Sequence, residues 1–159
     1  MPSKDQFHDQ AVALVPAAGV AAVSSFVPLL DQYSFLRGAR AEVWDFFATA
    51  AAIFIALNNL KAVVAPERFL ALYSELLPKV QQWDERGEDA VLDCQKFVAR
   101  TVSPDVSPLD ALGFWVLWNV LQREPSAEEA RATRTVGSAL SAPFQDWWES
   151  AYEPPCTPF

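Results

Sequence analysis

The chain contains little histidine, cysteine, methionine or glycine, the residues that many metal sites, redox sites and phosphate-binding loops require. Among its 159 residues there are one histidine, two cysteines, one methionine and five glycines. The two cysteines, Cys94 and Cys156, form no CxxC motif and have no histidine beside them. The sequence therefore predicts no metal site, and two isolated cysteines are typical of a reducing compartment.

The patterns of the common enzyme classes are also missing. The sequence has no nucleophile with a base at a recognisable spacing, no phosphate-binding glycine loop and no cluster of metal ligands. His8 lies among polar residues near the start of the chain, where a solvated surface position is typical of a single histidine. We therefore expect a protein that is not an enzyme.

Basic residues are outnumbered, which limits the partners that the protein can bind. The 12 lysine and arginine residues stand against 20 aspartate and glutamate residues, for a net charge of -8. This balance repels nucleic-acid phosphates and anionic membrane surfaces, so we expect no nucleic-acid partner. Lys4 is accompanied by Asp5 and Asp9, which is unlike the charge pattern of a secretory signal, and we expect a cytoplasmic protein.

Two uncharged runs raise the question of a membrane span. The first, residues 10–30, is rich in alanine and contains Pro16, Gly19 and Pro28, which we expect to interrupt it. The second, residues 46–60, is shorter than the roughly 20 residues that cross a bilayer. We expect both runs to be buried in a helical protein that does not span a membrane.

Proline and glycine divide the sequence into segments with helical periodicity, and no segment alternates for long enough to predict a β-strand. The predicted fold class is all-α. The predicted helical segments are 5–27 with an interruption at Pro16, 28–38, 39–64, 66–83, 88–102, 108–121, and 126–151 with a break at Pro143. We expect one helical domain over residues 1–152 and a proline-rich tail over residues 153–159.

Two of these helices begin with specific capping patterns. Ser107, Pro108 and Asp110 predict an N-cap, a proline at the first helical position and an acidic residue in the first turn. Ser126 with Glu129 is a capping box, which predicts that the last helix begins there.

The helix after Ser107 is apolar on two sides, so we expect it to be buried all round. One stripe consists of Phe114, Leu117, Trp118 and Leu121, and a second consists of Leu112, Trp115 and Val116. A helix of this kind lies at the centre of a large core or between two bundles, and the second arrangement leaves a seam that can hold a ligand.

Aromatic pairs at helical spacing fit both arrangements. Trp44 and Phe47 are three residues apart, as are Trp115 and Trp118, so each pair lies on one side of its helix. Two such pairs on helices that pack together would frame a long apolar slot. Aromatic stripes are also the ordinary content of a helical core, so the residues alone leave both interpretations open.

The segment 107–115 resembles part of a known family through the pattern SPxxxLGFW. The family comprises the N-terminal domain of the orange carotenoid protein and the related stand-alone helical carotenoid proteins. Arg100 and Thr101 stand where that family commonly has an Arg-Thr pair, and Trp44 lies at nearly the family distance ahead of Trp115. The likeness extends from about residue 28 to residue 121.

The resemblance implies two interlocked helical bundles with a keto-carotenoid, such as canthaxanthin or echinenone, along the seam between them. The implied pigment contacts are Trp44, Phe47, Leu112, Trp115 and Val116. Trp118 joins this candidate site from its helical spacing to Trp115. The implied function is photoprotection by a stand-alone carotenoid protein, through singlet-oxygen quenching or carotenoid carriage. Some family members quench the excitation of phycobilisomes, so the implied partners are a phycobilisome or a carotenoid-donor protein.

An alternative rests on the differences from the family. Phe47 and Val116 stand where the family usually has tyrosine, and Met1 is the one methionine although the family pocket tends to include several. These differences and the charge of -8 support a pigment-free helical protein-interaction module on the same scaffold.

Overall fold

The computed structural model describes residues 4–63 and 65–142, with side chains described for residues 13–62 and 65–142. Within these ranges the chain is helical and contains no β-strand, which confirms the all-α class. The α-helices are α1 Lys4–Gln32, α2 Ala41–Val63, α3 Pro66–Trp83, α4 Gly87–Thr101, α5 Pro108–Leu121 and α6 Thr133–Ser141, and two short 3-10 helices cover Ser34–Gly38 and Glu129–Ala132.

The first helix is longer than the sequence predicts. α1 continues through both Pro16 and Pro28, so the predicted interruption at Pro16 and the separate segment beginning at Pro28 are wrong. Both prolines lie on the exposed side of the helix. Water can reach a carbonyl that proline leaves without an N–H donor on that side, and the helix therefore tolerates both residues.

The bounds of α2 to α5 agree with the prediction to within two residues. The start of α5 has the predicted cap: the Asp110 backbone N–H donates to Ser107 Oγ over 3.1 Å, and Pro108 is the first helical residue. The Ser107 hydroxyl also donates to the Asp110 carboxylate over 3.0 Å, so this pair bonds in both directions.

The predicted capping box forms, but it does not begin an α-helix. The Ser126 backbone N–H donates to the Glu129 carboxylate over 2.9 Å, and the Glu129 N–H donates to Ser126 Oγ over 3.2 Å. A 3-10 helix follows, and α6 begins only at Thr133. Tight 3-10 turns are common at helix N-termini, and here the box caps that turn. The predicted continuation to residue 151 and the tail 153–159 lie outside the described residues.

α2 is the central helix of the fold. Every residue from 48 to 57 is buried, because α1, α4, α5 and α6 all pack against this helix. A helix that is covered on all sides needs no polar face, which explains why this part of α2 carries no charge. α3 packs against α1 and α4.

α5 is buried on more than one side, as its sequence predicts, because α2, α4 and α6 pack around it. The fully buried residues of α5 are Ala111, Leu112, Gly113, Trp115, Val116, Leu117 and Val120. The expectation that α5 is buried all round is wrong on the side of the stripe 114–121, since Leu117 is buried but Trp118 is 41% exposed. The finer arrangement of two interlocked bundles stays a prediction.

Two glycines allow α5 and α6 to come into close contact. Gly113 on α5 lies against the Thr133 carbonyl, and Gly137 on α6 lies against the Leu109 carbonyl. A Cβ atom at either glycine would overlap with the facing carbonyl oxygen. The spacing between the two helices therefore depends on the absence of a side chain at both positions.

Two helical segments are long and apolar enough to cross a bilayer by length and composition, Ala13–Gln32 and Ala41–Ala62. Inside the protein, 33% of the apolar window in the first segment is buried and 67% in the second. Because α1 is unbroken, its prolines do not argue against a span. The core helix of a soluble protein passes the same test, so the absence of a span stays a prediction.

Candidate functional site

The structure brings two of the six predicted site residues into ring contact. Phe47 on α2 and Trp115 on α5 meet edge to face, with ring centroids 5.6 Å apart and planes inclined by 77°. This geometry is favourable for an aromatic pair because the positive edge of one ring faces the negative face of the other.

Trp115 is held from the other side by a carboxylate. It is 2% exposed, and its indole N–H donates to Asp93 Oδ2 on α4 over 2.8 Å. An ionised acceptor makes this bond stronger than a neutral one. Trp115 therefore ties α5 to both α2 and α4.

Trp44 is fully buried, and its described partners lie on α1. Its indole N–H donates to the Ala22 carbonyl oxygen over 2.9 Å, and its ring stacks on Phe26 with centroids 5.2 Å apart. Of the remaining predicted residues, Leu112 and Val116 are fully buried, whereas Trp118 is 41% exposed. The six positions therefore do not line one slot.

A groove of about 190 Å³ lies beside Trp115. It is lined by Asp93, Phe97, Arg100, Trp115, Trp118 and Asn119. Its volume is below the ~300–1,000 Å³ typical of small-molecule sites, and a polyene is longer than most such ligands. In this packing, the space beside Trp115 would hold a keto-carotenoid only if neighbouring rings moved.

A larger groove lies between α1, α2 and the end of α3, and sequence reasoning missed it. It has a volume of about 650 Å³. We call it the α1–α2 groove, and its lining residues are Pro16, Gly19, Val20, Val23, Ser24, Glu42, Asp45, Phe46, Thr49, Trp83 and Asp84. Most residues of α1 that face it are apolar, and the two valines among them are exposed: Val20 is 67% exposed and Val23 is 59% exposed.

An aromatic row connects the two grooves. Phe46 stacks on Trp83 in the α1–α2 groove, with centroids 5.4 Å apart, and contacts Phe47 edge to face at 5.0 Å. Phe47 in turn contacts Trp115, which lines the smaller groove. Four rings, each in contact with the next, therefore extend from one groove to the other.

Three carboxylates line the α1–α2 groove, and two of them are paired. Glu42 lies 3.2 Å from the Arg40 guanidinium. Asp84 accepts from the Arg86 backbone N–H and from its guanidinium, which lower the pKa of that carboxyl. Asp45 is half-buried and has no hydrogen-bond or ion-pair partner among the residues that the structure describes.

A buried hydroxyl also lines this groove without a partner. Thr49 is only 3% exposed, and its hydroxyl makes no hydrogen bond to the side chains described, those of residues 13–62 and 65–142, or to the described backbone. A buried polar group without a partner is costly, so most native hydroxyls in such positions are bonded to protein, water or ligand. Thr49 follows Asp45 by one helical turn, so both polar groups lie on one side of α2.

No family model, curated protein or solved structure matches this chain significantly.

The described residues contain no group of three or more histidine, cysteine, aspartate or glutamate side chains that could hold a metal ion. Cys94 is buried, and burial, followed by the neighbouring Asp93 charge, raises the pKa of its thiol well above the ordinary value. The groups of this site that can interact with a ligand are therefore aromatic rings, carboxylates and one hydroxyl. These groups suit binding by stacking, ion pairing and hydrogen bonding.

Proposed function

We propose that this chain is a non-enzymatic helical protein-interaction module that binds another protein through the α1–α2 groove without a pigment. One observation carries the proposal. Between Asp9 and Asp31, α1 has no charged residue, yet over residues 13–28 the side of this helix beside the groove is exposed. A helix face toward water is normally polar, and an exposed apolar face of this kind is typical of an interaction site.

The packing around Trp115 supports the same proposal. Two of the three indole N–H groups of the predicted site are bonded within the protein, Trp44 to Ala22 and Trp115 to Asp93. Leu112 and Val116 are fully buried in the α5 packing. These side chains have a sufficient role in the core, and no pigment is needed to explain them.

Site-specific photo-crosslinking in the native cell tests the proposal. A photoreactive amino acid at position 23 is expected to give one crosslinked product, which mass spectrometry identifies as a complex with a different protein. The same amino acid at position 102, where Val102 is 40% exposed away from the groove residues, is the control and is expected to give no such product. A product at position 102 alone, or no product at position 23, would contradict the proposal.

A second candidate is the carotenoid protein that the resemblance implies, and the aromatic row favours it. A row of four rings between two grooves is a path along which a polyene could lie if the rings turned aside. This candidate keeps photoprotection as the function, a keto-carotenoid as the cofactor, and a phycobilisome or carotenoid donor as the partner.

Co-expression with a keto-carotenoid pathway separates the two candidates. The interaction module is expected to be a folded, colourless protein, as measured by circular dichroism and visible absorption. The carotenoid protein is expected to be coloured and red-shifted, and to lose its colour in Trp115→Ala but not in Leu70→Gln, a change at an exposed residue outside both grooves. A coloured protein with this variant pattern would refute the pigment-free proposal.

A further inference from the structure

We infer that the partner segment bound in the α1–α2 groove is a basic amphipathic helix. The inference rests on the proposed function, since it names the partner of that same groove. It follows from three properties of the groove: an apolar wall with an aromatic floor, and a carboxylate and a buried hydroxyl that have no partner in the described part of the chain.

The apolar wall has the spacing that receives a helix. Val20 and Val23 line the groove, and Val27 continues the same side of α1 one turn beyond it, so that the three recur every three to four residues. They are 67%, 59% and 62% exposed. The stacked pair Phe46 and Trp83 forms the adjacent floor. An amphipathic helix places its apolar side chains at the same intervals, so its apolar face can lie along this wall over about two turns.

The carboxylates of the groove determine the charge of the partner. Asp45 is half-buried and has no cation beside it in the described part of the chain. Glu42 is paired with Arg40 through a surface ion pair, which contributes little and can exchange. Asp84 is held more firmly, because it also accepts from the Arg86 backbone N–H. A lysine or arginine from a partner helix would pair with Asp45, and a glutamate there would be repelled.

The Thr49 hydroxyl adds a second polar contact. It lies one helical turn from Asp45 and faces the same groove. The cationic group of lysine or arginine carries several N–H donors, so it can bond to the Asp45 carboxylate and to Thr49 Oγ1 together. This contact would satisfy a hydroxyl that has no partner within the described residues.

Charge disfavours the other occupants of the groove. A second copy of the chain packed about a two-fold axis would bring two sets of these carboxylates together. Residues 143–159 contain three acidic residues and no lysine or arginine, which is the wrong charge for the groove. An anionic lipid surface is repelled for the same reason.

Designed peptides test the inference on the full-length chain. The probes are fluorescein-labelled peptides with leucine on one helical face and either lysine or glutamate on the other, and a scrambled peptide with the lysine composition. We expect the leucine–lysine helix to bind, by fluorescence anisotropy, with an affinity that falls as salt increases. We expect the glutamate peptide and the scrambled peptide to bind at least ten times more weakly.

Neutral substitutions locate the binding in the groove. Val23→Gln and Asp45→Asn are each expected to weaken the lysine peptide by about fivefold to tenfold, as for truncated interface contacts worth ~1 kcal/mol or more. The matched controls are Leu70→Gln at another exposed apolar position and Asp105→Asn in the loop after α4, and both are expected to bind as the unsubstituted chain does. Circular dichroism verifies that all four variants fold.

Three results of the binding and sedimentation experiments would overturn the inference. The first is equal binding of the lysine, glutamate and scrambled peptides, and the second is an unchanged affinity in both groove variants. The third is a dimer in sedimentation that Val23→Gln dissociates, which would assign the groove to a second copy. If crosslinking at position 23 instead captures a partner through an acidic or non-helical segment, the inference fails while the proposed function stands. A pigmented protein in the co-expression test would refute the proposed function itself.

Discussion

Replacement of Gly113 by alanine tests the close contact between α5 and α6. A Cβ atom there would overlap with the Thr133 carbonyl oxygen and would lie 2.6 Å from the carbonyl carbon. Because non-bonded heavy atoms sit roughly 3.5 Å apart or more, relief of the overlap with the carbonyl oxygen would require the two helices to separate by about 1.5 Å. The obstacle is backbone, which cannot rotate away as a side chain can.

The expected magnitude comes from two opposing contributions. Alanine is favoured over glycine in a helix interior by about 1 kcal/mol. Overpacking costs about 1–3 kcal/mol, and we expect the upper end because a backbone carbonyl is displaced. The net loss in the free energy of unfolding is therefore about 2 kcal/mol, which corresponds to a melting temperature lower by roughly 4–8 °C in a chain of this length.

Gly19→Ala is the matched control. Nothing lies within 4 Å of a Cβ atom at Gly19, which is in α1, so the same substitution is expected to stabilise the protein by about 0.5–1 kcal/mol. Urea unfolding followed by far-ultraviolet circular dichroism measures both variants. If Gly113→Ala proves as stable as the unsubstituted chain, or more stable, the close approach of α5 and α6 is refuted.

Two further predictions concern other contacts. Hydrogen bonds from the Arg123 guanidinium, and then from the Ser126 backbone N–H, lower the pKa of Glu129 from 4.5 to about 2. The ionised carboxylate thus stabilises the folded state above pH 4.5, and this contribution is lost as the pH falls toward 2. Glu129→Gln should reduce the slope of the free energy of unfolding against pH between pH 4.5 and 2. An unchanged slope would contradict the assignment. Trp115→Phe removes the donor to Asp93 and should destabilise the protein by about 1–2 kcal/mol in urea unfolding. Asp93→Asn keeps an acceptor and should cost less, and an equal loss in both variants would argue against this hydrogen bond.

Local patterns predicted most of the helices correctly. The cap at Ser107 and the prolines at the starts of α3 and α5 act within one turn of chain, so the bounds of these helices could be found from the residues themselves. The unbroken α1 could not, because Pro28 is tolerated only where its side of the helix faces water. The burial of a helix face is decided by its neighbours.

The candidate site shows the same division. Sequence spacing predicted that Trp115 is buried and that Phe47 lies on a helix that packs against α5, and the two rings are in contact. The pigment contacts assigned to both residues stay a prediction. The spacing did not predict that Trp44 would bond to Ala22 on α1, or that Trp118 would remain 41% exposed. These outcomes depend on which helices pack together, and residues 22 and 44 approach each other only after α1 and α2 have packed.

The α1–α2 groove has one signal in the sequence, the uncharged run that forms its α1 side, but such a run predicts burial and not an exposed groove. The uncharged run over residues 10–30 was expected to be buried, since apolar residues most often are. Half of this expectation holds, because Ala18, Ala21 and Ala22 are buried while Val20 and Val23 are exposed. Alanine and valine are both apolar, so their positions in the sequence do not show which of them face the core and which face water.

The amino-acid sequence by itself determined the helical class, the caps and most helix bounds, because hydrogen bonding and side-chain spacing within a few turns of chain control these features. Only the tertiary structure decided how closely α5 and α6 approach, which aromatic rings pack in the interior, and which face of α1 remains uncovered. The physical reason is that each of these outcomes depends on atoms from helices far apart in the chain. Whether a side chain has room, a partner or exposure to water is settled only when those helices are in contact.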